Sequence, residues 1–221
     1  MTTTTITDAA LLRLLAWLSP AFPTGGYAWS QGVEWAVEAG DVRDGTTLIA
    51  WLRDVLRAGS GWNDIVLLRL AHAAWNDAPG LTEIAELAAA TAPSRERLSE
   101  TLSQGTAFLA AARAWAPPAF PAPLAYPVAV GAVCGAAGIA VEAAAAGFLQ
   151  AQAANLISAA VRLVPLGQST GLAALAALEP DLLAVADASR AAGAEDLGGI
   201  ALRADIAAMR HETQYTRLFR S

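Results

Sequence analysis

The chain has 221 residues, a formal net charge of −6 and a hydrophobic fraction of 55%, while only 15% of its residues are charged. The acidic balance argues against a general nucleic-acid-binding protein, which normally carries a basic surface. All fourteen basic residues are arginines, and this excludes a Walker A nucleotide loop and a Schiff-base lysine because both need a lysine side chain.

The first 115 residues are typical of short helices separated by glycine- and proline-rich breaks. Leucines recur at helical spacing up to Leu18, and an unusual loop, "SPAFPTGGYAWSQG", leads into a helix predicted over 29–39 that ends at Gly40. Thr46 is the predicted cap of the third helix, whose apolar residues follow an i, i+3, i+4, i+7, i+8 pattern. Those residues are Leu48, Trp51, Leu52, Val55 and Leu56. Further helices are predicted over 62–76, about 82–91 and 93 to about 115.

The second half of the chain is predicted to be helical as well. Residues 116–127 contain five prolines and must form a loop, because proline fixes φ and removes a backbone donor. Apolar helices resume directly after this loop, and no alternating strand pattern stands out. We therefore expect an all-α fold, one domain over 1–221 built as a bundle of about ten helices.

An uncharged middle segment raises the possibility of a membrane span. Between Arg113 and Arg162 the only charged residue is Glu142, and the apolar run 124–141 approaches the length of about 20 residues that a span needs. The run is mostly alanine and glycine and contains Pro127, and the next helix, 148–164, carries several polar residues. The sequence favours helices buried in a soluble core or a dimer interface, and we expect no membrane and a cytoplasmic protein.

Candidate catalytic and metal-binding residues are few. The chain has one cysteine and two histidines, His72 and His211, which are far apart in sequence, whereas a zinc site commonly needs three or four convergent ligands. A site shared with a partner stays open, and His211 would be the better candidate for it. An enzyme that uses Glu34 or Glu142 as a catalytic carboxylate also stays open as an alternative. No motif indicates a stably bound cofactor.

Two later stretches place polar residues in unusual settings. In "NLISAAVRLVPLGQSTG", residues 155–171, Asn155, Ser158 and Arg162 share one face of an otherwise apolar helix. This pattern predicts either an internal hydrogen-bond network or a partner surface, since a buried arginine needs a partner. The tail, 203–221, is locally basic and aromatic, so it either docks on its own core or becomes ordered on a partner; we favour the partner.

Three stretches of the chain together resemble a known family. "LSPAFPTGGYAWSQGVEWAVE", "NLISAAVRLVPLGQSTG" and "MRHETQYTRLFRS" are similar to the signature stretches of the urease accessory protein F (UreF) family, in the same order, and the similarity extends over essentially the whole chain. The resemblance implies an all-α, dimeric, non-enzymatic assembly factor. Such a factor binds the scaffold protein UreD, also called UreH, recruits the GTPase UreG and docks on apo-urease, where nickel is delivered.

The resemblance also implies which residues meet those partners. Nickel would pass through the complex without a stable site on this chain, and the factor would either activate or restrain GTP hydrolysis. The partner-binding expectation covers two sets, one in the first loop and helix and one in the tail: Phe22, Pro23, Gly25, Gly26, Tyr27, Gln31 and Glu34, then Arg210, His211, Glu212, Tyr215, Arg217, Leu218, Phe219 and Arg220. Asn155, Arg162, Gly167 and Gln168 are expected at the dimer interface or along a tunnel.

Overall fold

The computed structural model describes residues 6–221. Within that range the chain forms ten α-helices and four 3₁₀ turns with no β-strand, so the predicted all-α class is confirmed. The α-helices are α1 (Asp8–Trp17), α2 (Val33–Glu38), α3 (Gly45–Ala58), α4 (Ser60–Ala73), α5 (Ala78–Ala90), α6 (Arg95–Ala112), α7 (Tyr126–Ala136), α8 (Val141–Leu163), α9 (Gly167–Ala188) and α10 (Leu202–His211). The 3₁₀ turns are Gly26–Ala28, Arg113–Trp115, Ser189–Ala191 and Ala194–Asp196.

The centre of the bundle is the pair formed by α4 and α7, which pack more extensively than any other two elements. A Cβ atom on Gly131 would collide with the carbonyl oxygen of Leu68, and one on Gly135 would lie 2.5 Å from the carbonyl oxygen of His72. The two backbones can approach this closely because glycine has no side chain. Around this pair, α6 packs on α7, α8 packs on α9, and α9 packs on α3.

The amphipathic pattern of α3 is confirmed, since all five residues of its predicted apolar face are buried. Its cap differs from the prediction. Asp44 rather than Thr46 is the N-cap, because the Asp44 carboxylate accepts from the Thr47 amide at 2.8 Å and the Thr47 hydroxyl accepts from the Asp44 amide at 3.1 Å. This reciprocal pair satisfies two donors that the helix cannot satisfy itself.

Several helix boundaries also differ from the sequence-based expectation; α5 begins at Ala78 instead of about residue 82, and α4 ends at Ala73 instead of residue 76. α2 begins at Val33 instead of residue 29, because Gln31 and Gly32 have φ angles of 52° and 81° and cannot continue a right-handed helix. α8 begins at Val141 instead of residue 148, so one helix of 23 residues replaces the shorter one that was expected.

Two stretches of the fold meet the length and hydropathy criteria for a membrane span. By length and hydropathy, α8 and the stretch Gly167–Ala191 are each sufficient to cross a membrane. Half of the apolar window in α8 is buried inside the fold. In the stretch Gly167–Ala191, 39% of the corresponding window is buried. Core helices of soluble proteins meet the same criteria, so these two helices are weak grounds for a span.

Candidate functional site

The tail lies directly on the first loop. The Arg220 amide donates to the Ala28 carbonyl at 2.8 Å, and the Ser30 amide donates to the Ser221 carbonyl at 2.8 Å. Phe219 is buried beside these bonds. The first and last signature stretches therefore form one structural unit, although almost the whole chain separates them in sequence.

Glu34 is the anchor of this unit. Its carboxylate is buried in α2 and accepts the backbone amides of Leu218 at 2.6 Å and Phe219 at 2.8 Å. It also lies 3.0 Å from Nε2 of His211 at the end of α10. A buried carboxylate is costly unless it is paired and hydrogen-bonded, and these three donors satisfy that requirement.

His211 is completely buried between two carboxylates. Its Nε2 faces Glu34, and its Nδ1 lies 2.7 Å from Oε2 of Glu96 on α6. The other carboxylate oxygen of Glu96 accepts from Arg217 at 2.7 Å. Both ring nitrogens of His211 are thus engaged within the chain, so neither is free for the shared metal site that the sequence left open. Among residues 6–221, no group of three or more His, Cys, Asp or Glu side chains is arranged to hold a metal ion.

A left-handed turn at Gln31 and Gly32 allows α10 to pack against the start of α2. A Cβ atom on Gly32 would lie 2.6 Å from the backbone nitrogen of Ala208, so only glycine fits this approach. Gly25 has a φ of 73°, whereas a Cβ atom on Gly26 would make only ordinary van der Waals contacts with Asn155 and Thr24.

Arg162 connects the middle signature stretch to the other two. Its guanidinium donates to the Tyr27 carbonyl at 2.7 Å and lies 4.2 Å from the centre of the Phe219 ring. The side chain is exposed, which disfavours the first of the two alternatives for this face, a buried internal hydrogen-bond network. Within the described part of the chain its hydrogen bonds go only to the carbonyl oxygens of Tyr27 and Ser158, and no carboxylate pairs with it.

Most of the remaining predicted site residues are exposed, and a few are half-buried. Phe22 is half-buried and packs on Phe108 and Trp115 with ring centroids 5.5 and 6.1 Å apart, so it holds the loop in place. Gly167 begins α9 with a φ of 72°, and Gln168 is exposed on the first turn of that helix, away from the tail contacts described above. The predicted residues whose side chains are exposed are Pro23, Tyr27, Arg210, Tyr215, Arg217, Leu218 and Arg220, and Glu212 is half-buried.

A cavity of about 160 Å³ opens beside this unit. Tyr27, Asn155 and Ser158 line it from the first loop and α8. The deeper wall is polar, because buried Arg97 pairs with Asp64 and lies 3.4 Å from Glu100. Glu100 in turn accepts from Gln31 and Gln104, each at 3.0 Å.

Burial gives this cavity an unusual carboxyl group. Burial raises the pKa of Asp64 to about 6, although the positive charge of Arg97 acts to lower it. Oε1 of Gln152, also on the wall, is buried and has no hydrogen-bond partner within the described residues. Sequence reasoning missed Asp64, Arg97, Glu100, Gln104 and Gln152. The available signal was the i, i+3, i+7 spacing of Arg97, Glu100 and Gln104 on one face of α6.

The two carboxylates considered for an enzymatic role both have structural partners. Arg69 donates to both oxygens of Glu142, at 3.1 and 2.9 Å, and these bonds lower the pKa of Glu142. Glu34 holds the tail, as described above. A general acid at neutral pH needs a raised pKa, so the geometry at Glu142 does not favour that chemistry.

Comparison with known proteins agrees with the resemblance in the signature stretches. The sequence model of the UreF family matches residues 42–179. The urease accessory protein UreF of Mesorhizobium japonicum is 52% identical over 215 residues, covering 96% of this chain and 96% of that protein. The UreF protein of Bradyrhizobium sp. strain ORS 278 is 52% identical, and the match covers 96% of this chain and 92% of that protein. The UreF protein of Methylorubrum populi is 50% identical, and the match covers 95% of this chain and 98% of that protein. The chain therefore belongs to the urease accessory protein UreF family.

Proposed function

We propose that this protein is a urease maturation factor that bridges the scaffold UreD (UreH) and the GTPase UreG on apo-urease in the cytoplasm. Membership of the UreF family supports a role in urease maturation. The observation that carries the adaptor role is the convergence of the first loop, the end of α8 and the tail. These three stretches form one continuous surface with buried anchors beneath it.

The exposed residues of that surface are suited to protein recognition. Tyr215 is fully exposed, Tyr27 is 72% exposed and Leu218 is 63% exposed. Arg210, Arg217 and Arg220 are also exposed. Tyrosine and arginine are enriched at the energetic centres of protein interfaces. We assign these six residues to partner contacts and assign Glu34, His211 and Phe219 to holding the surface in shape.

In this proposal nickel is a cargo that passes through the complex and does not bind stably to this chain. The cavity lined by Asn155 is where a tunnel for the ion would enter this protomer. Arg162 donates to the carbonyl of Tyr27, which lines the same cavity. Its side chain is exposed, so in the homodimer that we propose it is available to a second copy. Ordering of 203–221 by a partner stays a prediction.

Co-purification with the partners tests the adaptor role. The double substitution Tyr215→Ala and Leu218→Ala removes two exposed side chains without touching the buried anchors. We expect it to abolish capture of UreD (UreH), and with it UreG, while folding is unchanged by circular dichroism. The matched control is Leu172→Ala with Leu183→Ala, two leucines that are 69% and 56% exposed on α9. Equal capture by both double variants would exclude the tail as the docking surface.

A further inference from the structure

The cavity beside the first loop has more negative than positive charge on its wall. Three of the described residues that line it are charged, namely Asp64 of α4 and Arg97 and Glu100 of α6, and all three are buried. Arg97 is paired with both carboxylates, so two anions share one guanidinium. Burial, and in addition the charge of Glu100, raises the pKa of Asp64 although Arg97 acts to lower it. The wall therefore lacks one positive charge.

The wall also carries a hydrogen-bond acceptor that has no donor. Oε1 of Gln152 on α8 is buried and has no hydrogen-bond partner within the described residues, while Nε2 of the same side chain lies 3.4 Å from Oδ2 of Asp64. A buried acceptor that is left unpaired is costly. A molecule in the cavity that carries N–H groups would remove this cost.

The other side of the cavity is aromatic and apolar. Tyr126 and Phe148 line it with ring centroids 5.4 Å apart, and Leu18 and Ala151 lie on the same wall. Aromatic rings attract organic cations, and apolar side chains cover carbon groups. A cavity of this kind holds one water in about 10–15 Å³, so a volume of about 160 Å³ has room for a molecule of several heavy atoms.

Two other classes of ligand fit these residues less well. An anion would meet two carboxylates, and the guanidinium of Arg97 is already engaged by both. A tightly held metal ion needs several convergent ligands, and among residues 6–221 no group of three or more His, Cys, Asp or Glu side chains is arranged to hold one.

We infer that this cavity binds a small organic cation, an alkylguanidinium or an alkylammonium. Its N–H groups donate to Gln152 and Asp64, and its carbon part lies against Tyr126 and Phe148. The same chemistry occurs in a free small molecule and at the end of an arginine or lysine side chain of a partner. A bound cation would also close the entrance that we propose for nickel; this consequence rests on the proposed function, whereas the binding does not.

The first test is an NMR titration of the ¹⁵N-labelled wild-type protein with methylguanidinium chloride. We expect shifts of the Gln152 and Asn155 side-chain amides, half-saturated at or below about 10 mM, and nuclear Overhauser contacts from the methyl group of the probe to the Tyr126 or Phe148 ring. Acetamide, a neutral molecule of similar size, should bind at least about tenfold more weakly, and sodium acetate should leave these signals unchanged. An equal response to acetamide, or no response to methylguanidinium and ethylammonium up to about 50 mM, would overturn the inference.

The second test uses variants of the wall. Gln152→Met removes the unpaired acceptor, and we expect it to weaken binding of methylguanidinium about fivefold or more. Gln150→Met is the matched control, because Gln150 is exposed on the same helix and does not line this cavity. Asp64→Asn removes a negative charge and should weaken binding about tenfold or more, with folding checked by circular dichroism. Wild-type affinity in both Gln152→Met and Asp64→Asn would refute the inference.

Competition distinguishes the two sources of the cation. Methylguanidinium at a concentration that saturates the cavity should weaken capture of UreD (UreH) or UreG if the cation is a side chain of that partner. Unchanged capture would assign the cavity to a free small molecule. Failure of capture in the absence of methylguanidinium would contradict the proposed function, and the NMR result would still decide whether the cavity binds the cation.

Discussion

At the scale of single residues, Glu34 shows how the site depends on buried polar contacts. One carboxylate joins α2, α10 and the backbone of the tail. The sequence could single out Glu34 because it follows the signature loop. It could not reveal Asp64, Arg97 or Glu100 as a cluster, because α4 and α6 bring them together only in the folded chain.

Glu34→Gln should destabilise the protein by about 2–4 kcal/mol, because the amide group of glutamine has one acceptor oxygen and cannot accept from both the Leu218 and Phe219 amides in this buried site. Urea denaturation monitored by circular dichroism measures this change. Glu38→Gln lies on the same helix but is exposed, and it should change the free energy of unfolding by less than about 0.5 kcal/mol. Equal effects of the two substitutions would contradict the anchoring role of Glu34.

Asp64 should give the protein an unusual dependence of stability on pH. Its pKa in the folded state, about 6, lies above the ordinary aspartate value of 3.8. The folded chain therefore binds this proton more strongly than the unfolded chain, and the contribution to stability is present at low pH and lost as the pH rises through about 6.

The measurement is urea denaturation of wild type and Asp64→Asn at several pH values from 4.5 to 7.5. Wild type should lose stability relative to Asp64→Asn as the pH rises over that range. Asp44→Asn is the control, because hydrogen bonds from Thr47 lower the pKa of Asp44 and its titration falls below this window. A constant difference between wild type and Asp64→Asn would show that Asp64 stays ionised throughout.

At the scale of helices, periodicity predicted the interior of an element better than its ends. The apolar face of α3 followed directly from spacing, since every residue of the pattern is buried. The start of α2 could not be predicted, because the left-handed turn at Gln31 and Gly32 exists to admit α10, which lies far away in sequence. Packing between elements that are distant in sequence determined where α2 begins, and a local sequence pattern cannot reveal such packing.

Gly32→Ala should therefore separate α10 from α2. The new Cβ would lie 2.6 Å from the Ala208 nitrogen at a φ of 81°, so both steric overlap and backbone strain oppose it. Gly40→Ala is a matched control with a φ of 77° and open space around the Cβ position. We expect Gly40→Ala to lower the free energy of unfolding by about 1 kcal/mol and Gly32→Ala to lower it by at least about 1 kcal/mol more. Similar losses in the two variants would mean that α10 can move away at little cost.

At the scale of the whole molecule, the fold leaves an acidic protein with an exposed arginine at the point where its three signature stretches meet. The net charge is −6, and Arg162 has no carboxylate partner within the described residues. A second copy would offer carboxylates to pair with it. Family resemblance predicted that Arg162 lies at a dimer interface or along a tunnel, whereas its contacts within the chain, the Tyr27 carbonyl and the Phe219 ring, required the structure.

Arg162→Ala is the test of the proposed homodimer interface. Static light scattering on the purified protein should give the mass of a dimer for wild type and of a monomer for Arg162→Ala. Arg113→Ala, which removes a different exposed arginine, should remain a dimer. A dimer mass for Arg162→Ala would remove this residue from the interface assignment.

The bond between Glu34 and the Leu218 amide joins positions that are 184 residues apart. During synthesis on the ribosome, the first loop and α2 emerge long before the segment that completes them. Closing so long a loop cannot occur until the last signature stretch has left the exit tunnel. A growing or prematurely terminated chain would therefore lack the docking surface altogether. Partners that recognise the proposed surface would engage the chain only after Leu218 and Phe219 have left the exit tunnel, so translation sets the earliest moment at which assembly can start.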